Sequence, residues 1–61
     1  MRIYTVTMAK EKEINRYYDG EYIEVKTLDV EVEAESVEEA VEAVNGYKKM
    51  IAWKVDDEIV Y

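Results

Sequence analysis

Residues 28 to 46 read Leu28-Asp-Val-Glu-Val-Glu-Ala-Glu-Ser-Val-Glu-Glu-Ala-Val-Glu-Ala-Val-Asn-Gly46, and within them the hydrophobic period changes from two residues to about 3.6. In the first half Leu28, Val30, Val32 and Ala34 alternate with Asp29, Glu31, Glu33 and Glu35, the pattern of a strand with one buried face and one acidic face. In the second half Ser36 and Glu39 form a capping box, in which hydroxyl and carboxylate each satisfy a free backbone donor at a helix start. Val37, Ala40, Val41 and Val44 then recur at i, i+3, i+4 and i+7, a single apolar stripe, and Asn45-Gly46 supplies a left-handed stop. A strand running into a helix of about nine residues, roughly 13.5 Å long, follows.

Working outward, Asp19-Gly20 carries the type I′ hairpin signal, with strand-like runs on both sides. It predicts a long bent hairpin with arms from about Arg2 to Tyr18 and from Glu21 to Ala34, in which Tyr17 faces Tyr22. The apolar parity of the second arm flips between Val25 and Leu28, so one extra residue near Lys26 or Thr27, a β-bulge, is needed. Met8 then meets Val32 and Val6 meets Ala34. After the helix, Met50 to Val55 reads as a third strand, Asp56-Asp57 as a turn and Glu58 to Tyr61 as a short fourth strand. Short connections favour pairing of the third strand with the first, which leaves the acidic strand on an edge. The expected fold is α+β in one domain, residues 1–61: a small antiparallel sheet with one helix on one face, in ββαβ(β) order. Trp53 is expected in the core, alternating with Ile51 and Val55.

Composition narrows the chemistry. The chain has no cysteine and no histidine, so disulfides, the common zinc sites and Ser-His or Cys-His nucleophilic catalysis are excluded. Two glycines cannot build a phosphate loop. No apolar stretch has signal-peptide or membrane-span length, and the expectation is a protein of the cytoplasm with no membrane partner. A net charge of −7 disfavours direct binding to nucleic acid or to an anionic membrane. Asp56-Asp57-Glu58 lacks the spaced ligands of a cation loop and reads as a solvated turn. No catalytic residue, metal or cofactor is expected.

From Asp29 to Glu42 seven of fourteen residues are acidic and none is basic. Edge protection explains one or two such charges, since a charged edge strand repels other edges. The full set, Asp29, Glu31, Glu33, Glu35, Glu38, Glu39 and Glu42, exceeds that need and costs stability through self-repulsion. A site that holds nucleic acid expects a row of negative charge, so this row is a candidate surface for a protein partner with a basic face. Tyr17, Tyr18 and Tyr22 are the second candidate, as aromatic anchors on a hairpin tip projecting beyond the helix.

The length, the acidic strand Asp29 to Glu35, the capped helix Ser36 to Asn45 and the ββαβ order resemble the small acidic proteins that phages direct against host defence, including anti-CRISPR proteins and DNA-mimicking anti-restriction proteins. The resemblance implies a stoichiometric inhibitor of a nuclease or surveillance complex, acting in the host bacterial cytoplasm, with no catalytic residues. The alternative, from a different class, is a homo-oligomeric structural or assembly module, since a sheet with one helix leaves its other face open.

Overall fold

Alternation along the first strand sets the architecture: Tyr4, Val6 and Met8 point to one side of the sheet and Ile3, Thr5, Thr7 and Ala9 to the other. The computed structural model describes all residues, 1–61. Its elements run β1 (Arg2–Ala9), α1 (Glu11–Tyr18), β2 (Leu28–Ala34), α2 (Val37–Val44), a 3₁₀ turn (Tyr47–Lys49), β3 (Ile51–Val55) and β4 (Glu58–Ile59). The strands form one antiparallel sheet in the order β2-β1-β3-β4. The α+β class, the pairing of the third strand with the first and the edge position of the acidic strand match the sequence expectation. The number of helices does not.

The expected hairpin through Asp19-Gly20 is replaced by a helix. Glu11 to Tyr18 is helical, with Glu11 and Glu13 in the first turn and Arg16 in the last, the charge order that complements the helix dipole. Asp-Gly acts here as a helix stop rather than a strand turn. Gly20 has φ +89°, its N–H bonds the Tyr17 carbonyl at 3.1 Å, and the Glu21 N–H bonds the Arg16 carbonyl at 3.2 Å. These two bonds define a Schellman motif. At the positions where such motifs usually place an apolar contact, Arg16 and Glu21 form an ion pair at 3.1 Å. The pair raises the Arg16 pKa above its ordinary value, through the hydrogen bond first and the charge second.

Consequently β1 and β2 are neighbours without a tight turn between them, and β2 lies four residues away from the expected register. Met8 pairs with Leu28, Val6 with Val30 and Tyr4 with Val32. The parity is preserved, so the same faces are buried, and no bulge near Lys26 or Thr27 is needed because residues 21–27 form no strand. The bulge lies instead in β3: Thr7 pairs with Lys54 but Met8 with Ala52, so Trp53 has no opposite residue. The extra residue separates Trp53 from Val55. Val55 and Ala52 join Tyr4, Val6, Met8, Ala34, Ala40 and Val44 under α2, whereas Trp53 joins Ala9 and Ile14 under α1. Trp53 is buried, as expected, but on the face opposite Val55.

Each helix therefore covers one face. Val6, Met8 and Ile14 are fully buried, each contributing about 1.5 to 3 kcal/mol of transfer free energy. Ser36 caps α2, its Oγ accepting the Glu39 N–H at 3.1 Å, and the Asn45 side chain fastens the other end by accepting the Ala52 N–H at 2.9 Å. The Asp56-Asp57 turn forms with φ of 48° and 67°, the type I′ signature. Two bonds to Thr5 offset the strain at Asp56: its N–H donates to the Thr5 carbonyl at 2.9 Å and its carboxylate accepts the Thr5 N–H at 3.0 Å. The fourth strand is shorter than expected. Val60 still donates to the Trp53 carbonyl, and Tyr61 reaches α1, its hydroxyl 3.0 Å from Glu11 and 2.9 Å from Asn15.

Candidate functional site

Leu28, Val30, Val32 and Ala34 turn toward α2, so the pleat of β2 sends Asp29, Glu31 and Glu33 to the opposite face. All three are exposed. Their side chains lie roughly 6.6 Å apart, twice the strand rise. Their cross-strand neighbours on β1 are Thr7, Thr5 and Ile3, none of them basic. Thr7 Oγ1 donates to Asp29 at 2.8 Å, which orients that carboxylate without neutralising it. The chain forms two ion pairs, Arg2–Asp56 and Arg16–Glu21, and neither includes a residue of the acidic run. Lys54, on the same face as Thr7, turns its ammonium over the Trp53 ring at 4.8 Å from the centroid.

The remaining acids of the run lie elsewhere. Glu35 is in the connection between β2 and α2, while Glu38, Glu39 and Glu42 sit on the helix, on the other side of the sheet. Glu38 and Glu42 line an open groove of about 420 Å³ with Val37, Val41 and Val60, toward the β4 edge. The acidic run is thus two surfaces. Only Asp29, Glu31 and Glu33 form a straight row, because only they share a strand face.

The tyrosines are divided as well. Tyr17 and Tyr18 end α1 and meet Trp53 edge-on, with ring centroids 5.6 and 6.4 Å away, and the Tyr18 hydroxyl accepts the indole N–H at 2.9 Å. Both remain about half exposed. Tyr22 is fully exposed beyond the Schellman turn and does not face Tyr17. The expected projecting hairpin tip is absent, and Ile14, four residues before Tyr18, is fully buried against Trp53 and Ala9. The sequence did hold a signal for this cluster. Ile14, Tyr17 and Tyr18 fall at i, i+3 and i+4, the spacing of one helix face. Of the Asp56-Asp57-Glu58 carboxylates, Asp56 is engaged by Thr5 and by Arg2 at 3.4 Å. No helix is long and apolar enough to cross a membrane. The chain matches no family model, no curated protein and no solved structure in comparisons with each.

Proposed function

We propose that this chain is a non-enzymatic, acidic protein-binding inhibitor of the anti-CRISPR or DNA-mimic kind, which occupies a basic nucleic-acid-binding surface on a host nuclease or surveillance complex. The observation that carries the reading is the row Asp29, Glu31 and Glu33, exposed on one sheet face with no cation paired to it. Their spacing of roughly 6.6 Å is close to twice the 3.4 Å axial rise per phosphate on one DNA strand. A rigid sheet holds the charges in place, so they reach a row of Arg and Lys without ordering any segment first. The half-exposed Tyr17 and Tyr18, braced by Trp53, offer rigid aromatic area on the same face of the sheet, while the acids supply steering.

The test is affinity capture from a bacterial lysate cleared of nucleic acid, with the wild-type chain and a Glu31→Lys/Glu33→Lys variant as baits. The expected result is a basic protein that binds the wild-type chain, is released steeply by salt, and is displaced by added nucleic acid. The variant should lose it while unfolding at an equal or higher temperature, since both side chains are exposed and their reversal relieves like-charge repulsion. Retention of that partner by the variant at physiological salt overturns the proposal.

A further inference from the structure

We infer that β2 is a docking edge, and that its occupant is an extended segment of a partner protein in which Lys or Arg alternates with aliphatic residues, added to the sheet as a fifth strand. The inference rests on the reading that the acidic face meets a basic protein surface, and it specifies how that surface is engaged. Its basis is the backbone. Residues Leu28–Ala34 form the outermost strand of the sheet, and none of the chain's turn, loop or cap backbone bonds reaches them. On the side away from β1, every N–H and C=O that β2 presents is therefore open to a new ladder. The opposite edge is broken up: β4 has two residues, and beside it the Ala52 N–H and the Trp53 carbonyl of β3 are held by Asn45 and Val60.

Of the usual protections of an edge strand β2 has only its carboxylates, which repel a like-charged edge and not a cationic one: it contains no proline, no glycine and no lysine, and it pairs with all of its β1 partners without a bulge. Val30 and Val32 pack against the core beneath α2 and, like Leu28 on the same side of the strand, remain only partly buried, so this edge keeps accessible apolar surface. An incoming strand with aliphatic residues beside them extends that core. The other half of its residues then stand beside Asp29, Glu31 and Glu33, where Lys or Arg makes favourable cross-strand pairs.

Charge also excludes a second copy as the occupant. Any pairing of β2 with itself that keeps Leu28, Val30 and Val32 on the α2 side brings the carboxylates of one chain against those of the other. Like charges directly opposite each other are destabilising. A slip by one residue places the acids over the apolar side instead. The alternation that blocks self-pairing in every register is complementary to a cationic strand.

The experiment uses the full chain, labelled for amide hydrogen exchange, with three synthetic probes. The first is an acetylated, amidated heptapeptide, Lys-Val-Lys-Val-Arg-Val-Lys. The second has the same composition with charged and aliphatic residues segregated, and the third is the first with its valines N-methylated. The alternating peptide should slow exchange of alternate amides within Leu28–Ala34 by about tenfold or more, as expected of new ladder bonds. The segregated and N-methylated peptides should give no such protection. Equal binding of all three without protection in β2 means diffuse charge attraction and overturns the inference, as does protection confined to the Val37–Val60 groove. Failure of the alternating peptide to bind, or concentration-dependent protection of β2 in the chain alone, also overturns it. The two proposals fail separately. A captured partner displaced by nucleic acid, with β2 amides exchanging as in the free chain, keeps the inhibitor and removes strand addition. Peptide protection of β2, with a partner whose nucleic-acid binding is unaffected, does the reverse.

Discussion

The two helices have equal length, eight residues each, and lie on opposite faces of the same sheet, yet they are held in different ways. Helix α2 packs an aliphatic stripe, Val37, Ala40, Val41 and Val44, over Tyr4, Val6 and Met8 and is capped by its own Ser36. Helix α1 buries one residue, Ile14, and otherwise depends on groups distant in sequence: Trp53 from β3, Tyr61 from the C-terminus and the Lys26 N–H bonded to Glu13. The α2 face is a locally encoded core. The α1 face is assembled by tertiary contacts around one indole. A helix needs neither a side-chain cap at its start nor a broad apolar stripe when the rest of the fold supplies its partners.

If the α2 face carries most of the stability, Met8→Ala is the most damaging substitution. Truncation of a fully buried Met costs about 2 to 5 kcal/mol, against about 3 to 9 kcal/mol for a whole domain of this size. Urea unfolding should show a chain that is marginal or unfolded at 25 °C. Ile14→Ala should cost less, about 2 to 3 kcal/mol, because the half-open α1 face can collapse around the loss. Its signature should be local: hydrogen exchange of α1 amides accelerates and Trp53 fluorescence shifts to the red while α2 stays protected. Equal loss of protection in both helices would join the two faces into one cooperative unit.

Smaller effects separate the helix ends. Gly20→Ala places a side chain at φ +89° with open space around it, so its cost is backbone conformation alone, about 1 to 2 kcal/mol. Ser36→Ala removes the α2 cap at a cost of about 1 kcal/mol. Thermal unfolding of the pair should rank them in that order.

The smallest effect is in pH. Desolvation against α1, then the Glu11 carboxylate, raises the Tyr61 pKa. A group whose folded pKa is raised stabilises the fold fully below its unfolded value, about 10 for a phenol, and loses that contribution as pH rises through the folded value. Ultraviolet titration should show one tyrosine ionising late, and Tyr61→Phe should abolish that component and flatten the stability profile above pH 10.

Legibility in the sequence followed this division. The acidic strand and α2 were readable because alternation, capping box, apolar stripe and glycine stop lie within nineteen consecutive residues. The exposed row Asp29, Glu31 and Glu33 came with them, since strand parity alone fixes which side chains share a face. Helix α1 was misread because Asp19-Gly20 serves two purposes: left-handed glycine ends a helix as readily as it turns a hairpin. The tie-breaking signal, Ile14 with Tyr17 and Tyr18, was weaker than the turn signal. The tyrosine pair Tyr17–Tyr22 was lost with the hairpin, and the Trp53 cluster was hidden because a bulge in β3 moves Trp53 to the face opposite Val55.

By itself, then, the sequence determined a capped helix following an acidic edge strand, an antiparallel sheet in which β1 lies between β2 and β3, and a chemistry without cysteine or histidine. The helix, the strand and the chemistry are properties of local periodicity and composition, which neighbouring residues settle among themselves, and the strand order follows from short connections. The tertiary structure decided the second helix, the four-residue change of β1–β2 register, the separation of the acids onto two surfaces and the burial of Ile14 against Trp53. The second helix and the burial of Ile14 depend on residues more than thirty positions apart meeting in space, as Tyr18 meets Trp53, and the register joins residues at least twenty apart, as Met8 meets Leu28. Packing a helix on each face buries more apolar surface than a bare hairpin, and for so short a chain that gain outweighs the local preference of a single turn.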